Sequence, residues 1–430
     1  MVEKVVGRLH QKKRLGDLLD VFYRYPTFYG FEYVNEGVPV LKGEDINSLG
    51  LITSKSGDHV TVDISQKFPL TVVLAGDLVI SVRGLVGKVG LVGAELTGAQ
   101  LSPNVIRLSP NRSLVVPEYL WVFLRSFFGV GYFDRFKMRT TQETILSTDI
   151  SEFEIPLMST EFQHGIASVV RTAQANVSFT KIQFEQAELI LLKALGIDDW
   201  APPEPLTYSR RASEVFVAGR LDSQYFAPRV ALLIKRLSKD GWSLRDVAPP
   251  RQERFVQFGN QQFRYIEISN LRSDGSVTDE MIPMSEAPSR ATWYVRSGDV
   301  LTSTVRPNRR LSALITPEQD GCVASSGFVV LQPEAIPPEV LLTYLRLPLF
   351  CELMDLHTSA SLYPAISERD LLSLPFPNIT QNASDQVVAA VRSATITRKR
   401  AQELLEQAKR AVEIAIEESE SAAIKYLESN

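Results

Sequence analysis

The chain has 430 residues, 44% of them hydrophobic and 22% charged, with a net charge of −4. That length divides into two or three domains, and the composition is that of an ordinary water-soluble protein. No run approaches the ~20 apolar residues of a membrane span, and residues 1–15 are too polar for a secretory signal, so the expected address is the cytoplasm. Two cysteines, Cys322 and Cys351, support neither a disulfide framework nor a zinc site, and four scattered histidines (His10, His59, His164, His357) offer a metal no cluster.

In chain order, Gly37 to Leu41 alternates in the manner of a strand. A turn at Gly76-Asp77 leads into a short apolar run, 78–81, that reads as a buried strand. Pro117-Glu118 opens an amphipathic helix over 117–128, with proline tolerated in the first turn. The segment closes on Ile155-Pro156. A long helical pattern follows, with Phe162, Ile166, Val169, Ala173, Val177, Thr180, Phe184, Ala187, Leu191 and Ala194 at steps of three and four. Asp198 to Pro205 is proline-rich and ends it.

The same order then recurs. Strand-like residues at 263–268 precede Gly298-Asp299 and an apolar run at 300–303. Pro338-Glu339 opens a helix over 338–354, and the copy closes on Phe376-Pro377. A second long helix carries Val387, Val391, Ala394, Arg398, Ala401, Leu405, Ala408, Val412, Ala415, Ser419, Ala422 and Tyr426. Shifting the sequence by about 221 residues superposes Ala75-Gly76-Asp77 on Ser297-Gly298-Asp299, Pro117-Glu118 on Pro338-Glu339, and Leu124-Arg125 on Leu345-Arg346. Such a period is far too long for a solenoid, so this is a duplicated α+β domain. The alternating steps of three and four indicate a seam of helix on helix. The alternative is two amphipathic helices, each lying on its own domain.

Signatures of catalysis are missing from the sequence. None of the three Pro-Pro pairs has the Asp, Asn or Ser before it and the aromatic after it that an amino-methyltransferase would show. Gly84-Leu85-Val86-Gly87-Lys88 lacks the glycine spacing and the hydroxyl residue of a phosphate loop. Neither a Gly-x-Ser-x-Gly elbow nor a His-Glu-x-x-His pair occurs. The net charge does not exclude nucleic acid, since phosphates are neutralised by local patches. Basic residues gather at 135–139, 306–310 and 398–400, and acidic ones at Glu413, Glu417, Glu418 and Glu420.

A first domain closing on Ile155-Pro156-Leu157, a long helix, the segment Arg220-Leu221-Asp222-Ser223-Gln224-Tyr225-Phe226-Ala227-Pro228, a second domain with Gly298-Asp299 and a second helix make up the chain. In that order it resembles the specificity subunit of type I restriction-modification systems over essentially its full length. The resemblance implies two target-recognition domains, at 1–160 and 221–378, each reading half of a bipartite site in double-stranded DNA. It implies spacer helices at 161–199 and 379–430, with a proline-rich linker at 200–220. The expected fold class is α+β, with the two domains related by a pseudo-two-fold and separated by two long antiparallel coiled-coil helices. It also implies docking of two methyltransferase subunits, which would carry S-adenosylmethionine, and of separate translocating restriction subunits; this chain would bind no cofactor and catalyse nothing.

Candidate DNA contacts follow from comparing the copies. Where both agree, a scaffold role is expected; where matched loops differ yet stay polar or basic, sequence reading is expected. One loop pair sets Arg83 and Lys88 against Arg306, Asn308, Arg309 and Arg310, since arginine grips guanine and lysine holds phosphate. A second sets Lys137, Arg139, Thr140, Thr141 and Gln142 against Ser359, Ser361 and Tyr363. A third sets Arg24, Tyr25 and Tyr29 against Arg251, Gln252, Arg254 and Gln257. Two other classes of function compete: a methyltransferase or nuclease with diverged motifs, and a coiled-coil scaffold that binds protein.

Overall fold

The computed structural model describes residues 11–24, 32–52, 57–138, 143–359 and 362–429. The chain forms two compact units: residues 1–179 with 396–430, and residues 180–395.

In the first unit the strand Leu78–Ser81 is buried along its whole length, as its unbroken apolar run requires. It lies antiparallel between Val89–Leu91 and Val105–Pro110, and Leu19–Arg24 extends the sheet beyond Val105–Pro110. A smaller sheet pairs Val38–Leu41 parallel with Gln100–Leu101 and antiparallel with His59–Val60. The second unit repeats this plan. Val300–Ser303 lies antiparallel between Ser312–Leu314 and Phe328–Leu331. Gln262–Ile266 runs parallel to Val323–Ser325 and antiparallel to Glu280–Pro283.

The duplication extends to individual side chains. Asp77 accepts the Leu74 amide at 2.8 Å, and Asp299 accepts the Arg296 amide at 2.8 Å. Each aspartate also holds a guanidinium: Arg107 at 2.7 Å in the first unit and Arg251 at 2.6 Å in the second. Arg125 donates to Ser48 O at 3.2 Å, and Arg346 donates to Ser273 O at 2.6 Å. Each of these arginines lies against a glycine with positive φ, Gly50 and Gly275 respectively. Glu118 binds Arg171 at 2.7 Å, and Glu339 binds Arg392 at 2.6 Å. Residues on which the two copies agree are thus frame, as the sequence comparison expects.

Three helices differ from their sequence readings. The helix expected over 117–128 is Pro117–Arg125, followed by a separate helix, Phe127–Phe136. Ser126 adopts an extended conformation, and its hydroxyl accepts the Gly129 amide at 3.5 Å as an N-cap. The helix expected over 338–354 is likewise split into Pro338–Arg346 and Pro348–Leu356. Here Pro348 disfavours helical geometry at Leu347. The second long helix is Gln381–Glu417, with Glu420–Ser429 separate. Ser419, read as a seam position, is exposed, and its hydroxyl accepts the Ala422 amide at 3.2 Å.

The first long helix, Thr160–Leu195, gives Phe162, Ile166, Val170 and Ala173 to the core of the first unit, where Ala401, Leu405, Ala408 and Val412 are also buried. Its later residues Ala187, Leu191 and Leu195 join the core of the second unit with Val387 and Val391. The seam is shifted by one residue at two places: Val170 is more buried than Val169, and Leu195 is buried where Ala194 is exposed. Thr180, a polar seam residue, is buried and donates to Ala394 O at 3.4 Å. Within 200–220, read as linker, Ala212–Ala218 forms a short exposed helix. Among the described residues no helix is long and apolar enough to cross a membrane.

Candidate nucleic-acid interface

The first two loop pairs, chosen separately from sequence, are brought together in the structure. In the first unit Arg83 forms a bridge with Thr144, and Ile145 N donates to Val82 O at 3.4 Å. In the second unit Val305 bridges Ala365, and Ile366 N donates to Thr304 O at 3.0 Å. These are matched positions of the two copies. Each unit therefore carries one composite edge, made from the loop after its central buried strand and the segment after its split helices.

On the second unit this edge is strongly basic and aromatic. The turn Pro307–Arg309 is flanked by Arg306 and Arg310, both left-handed, with φ of 51° and 58°. Arg306 N donates to Pro364 O at 2.8 Å, and its guanidinium lies over the Tyr363 ring at 5.3 Å. Tyr363 is 64% exposed. Asn308 and Arg309 are exposed at the crest of the turn, and Ser359 is exposed in a short strand paired with Ala365–Ile366. Ser361 lies outside the described residues.

On the first unit Arg83 is exposed beside Arg24. Burial lowers the Arg24 pKa, and the positive charge of Arg83 lowers it further. Lys88 is half-buried and donates to Ile46 O at 3.4 Å. Arg139, Thr140, Thr141 and Gln142 lie outside the described residues, as do Tyr25 and Tyr29.

Three of the candidates are held by the fold. Arg251 is locked bidentately onto Asp299, at 2.6 and 2.8 Å. Arg310 donates to Arg346 O at 2.7 Å and to the Glu188 carboxylate. Lys137 sits 3.2 Å from Glu143 and 3.8 Å from Asp134. Their geometry is that of buttresses. Arg254, by contrast, is exposed, with its guanidinium over Trp293 at 5.3 Å. From the loop just after it sequence reasoning took Gln257 but missed Val256 and Phe258, which project into solvent; an Arg-aromatic-x-x-Phe pattern present in both copies could have pointed to Phe258.

Catalytic groupings do not emerge around these edges. Among the described residues no group of three or more His, Cys, Asp and Glu converges as a metal would need. Cys322 and Cys351 are buried, and burial pushes their thiols up to about 11 and about 12. A cleft of about 590 Å³ in the first unit is lined by charges of both signs, among them Arg125, Arg400, Glu403 and Arg410.

Each unit thus presents a composite loop edge on a repeated α+β frame. Residues 9–188 match the family model of the type I restriction modification DNA specificity domain. That match covers less than half of the chain and agrees, over those residues, with the family resemblance read from the sequence. Among curated relatives, the chain is 23% identical over 145 residues to the type I restriction enzyme EcoBI specificity subunit of Escherichia coli. That match takes in 33% of this chain and spans only 30% of the relative's length. Among solved structures, it aligns with the HsdS subunit from Thermoanaerobacter tengcongensis at 20% identity, over 97% of this chain and 96% of the other, with a TM-score of 0.30. A type I restriction-modification S subunit from M. genitalium aligns at 12% identity, over 98% and 96%, with a TM-score of 0.37.

Proposed function

We propose that the chain is the specificity subunit of a type I restriction-modification complex and reads a bipartite sequence in double-stranded DNA, one half-site with each unit. The observation that carries this reading is the composite edge, built twice at matched positions on one frame but lined by different side chains. A shared frame with unlike loops is what two readers of unlike half-sites require. Arg309, Arg306, Arg83 and Arg254 supply donors suited to guanine edges and phosphates. Asn308 and Ser359 supply shorter polar groups beside them. Two long helices with shared small and apolar seam positions support a role as an antiparallel coiled-coil spacer. Their outer faces would receive methyltransferase subunits, which bring S-adenosylmethionine, and a nuclease subunit would join through those partners.

Selection of duplexes from a randomised library, by the purified chain with and without a type I methyltransferase subunit, tests the reading. The expected product is two short conserved blocks separated by a fixed unspecific gap, with affinity falling steeply as salt rises. A single block, or retention insensitive to salt, would refute it. Methyl transfer by the rigorously purified chain alone would refute the absence of catalysis.

A further inference from the structure

Loop 256–261 of the second unit is tightly held at its base and bare at its tip. Met284 clasps both limbs: its amide donates to Gln261 O at 2.8 Å, and its carbonyl accepts Gln257 Nε2 at 2.7 Å. Phe255, at the root, stacks on Phe263 at 4.7 Å and meets Tyr294 edge-on at 5.8 Å. Gly259 turns the chain with φ of +78°, a conformation that favours glycine. On this firm base Val256 is 70% exposed and Phe258 86% exposed. A projecting phenylalanine on an ordered loop forgoes the stabilisation that burial would give it. Such a side chain fits a surface that covers it only on binding.

The surroundings point to one such surface. From Arg254 to Gln262 the chain contains no acidic residue, and Asn260, Gln261 and Gln262 present exposed amides. An arginine and amide side chains around a protruding apolar residue are the equipment with which proteins push a wedge between stacked base pairs. The sequence of the first copy has the same spacing, Arg24-Tyr25-Pro26-Thr27-Phe28. We infer that Phe258 is a wedge that enters the base stack of duplex DNA and unstacks one step within or beside the half-site read by the second unit. This rests on the DNA-reading function proposed above.

The test uses the full chain and duplexes of its selected sequence, with 2-aminopurine placed in turn at each step of the half-site. The parent chain should raise the fluorescence at one step severalfold. Phe258→Ala should abolish that rise and weaken binding roughly ten- to hundredfold, the range seen when an aromatic–base contact is removed. Phe258→Trp should keep the rise, with its indole emission quenched by the DNA. An alanine variant that matches the parent in affinity and in 2-aminopurine response would overturn the wedge while leaving DNA reading intact. So would a variant that binds DNA normally but fails to assemble with the methyltransferase, since the tip would then belong to a protein partner. Failure of the parent itself to bind DNA would overturn both.

Discussion

Removing either member of the Glu339–Arg392 pair should have very unequal effects, and the structure says which removal hurts. Arg392 Nε lies 2.6 Å from Glu339 Oε1. The glutamate side chain is only 6% exposed, whereas the arginine is 65% exposed. Glu339 Oε2 is buried without a hydrogen-bond partner, so among the described residues Arg392 is the cation that compensates this carboxylate. An exposed pair contributes up to ~1 kcal/mol, but a buried charge stripped of its partner costs several times more. Because solvent reaches the arginine, we place Arg392→Met at about 2 kcal/mol of destabilisation. Glu339→Met removes the buried charge and frees an arginine that is already largely in water, and should cost under ~1 kcal/mol. The double variant should then resemble Glu339→Met alone, a coupling that a double-mutant cycle reads directly. Urea denaturation of the full chain, compared by midpoint at constant slope, measures all three. The pair Glu118–Arg171, with the glutamate 12% and the arginine 62% exposed, should give the same ranking. A Glu339→Met variant less stable than Arg392→Met would refute the reasoning.

Arg309→Ala should relax or weaken recognition of one half-site with the melting temperature unchanged, whereas Arg310→Ala should lower the melting temperature, because it strands Glu188 and frees the Arg346 carbonyl; equal thermal shifts would contradict this. Cys322 and Cys351 should resist a disulfide-exchange reagent at pH 7 and react once the chain is unfolded in urea, since burial raises both thiols well above neutrality; rapid labelling of the native chain would show otherwise. One heptad inserted into Thr160–Leu195 adds ~10 Å, about three base pairs of DNA rise, and should lengthen the selected gap without altering either half-site. An unchanged gap would remove the helices from that role.

The frame was legible in the sequence because the chain states it twice. Gly76-Asp77 and Gly298-Asp299, Glu118 and Glu339, and Arg125 and Arg346 agree between copies, and each pair serves the same local function in the structure. The helix breaks at Ser126 and Leu347 were harder to read. Periodicity survives a one-residue interruption, and only the cap at Ser126 and the proline at 348 mark it. Within the candidate interface, sequence comparison picked loops that the fold brings to one edge but could not sort their residues. Arg309 and Arg310 are neighbours of identical chemistry, yet one is exposed and the other is tied to Glu188. That distinction depends on a residue about 120 positions away, beyond the reach of any local pattern. Phe258 was missed for a related reason: an aromatic residue in a mixed stretch reads as core until its exposure is known.

Among the described residues, Arg306 and Arg310 are the only non-glycine residues with positive φ. That backbone region costs an L-residue ~1–2 kcal/mol; at Arg310 the contacts with Glu188 and the Arg346 carbonyl offset that cost, whereas at Arg306 a chain tuned for stability alone would place glycine. Arginine there gives up stability and gains order. With both ends of the turn fixed by the Pro364 carbonyl, Tyr363 and Glu188, the loop has few conformations left to lose in the DNA binding proposed for it. Its entropy is surrendered during folding rather than during association, so more of the contact energy remains to separate a right base from a wrong one. Discrimination at this edge is therefore coupled to folding stability with opposite sign. Under the proposed function, replacing Arg306 by glycine would stabilise the chain and blur its choice of sequence.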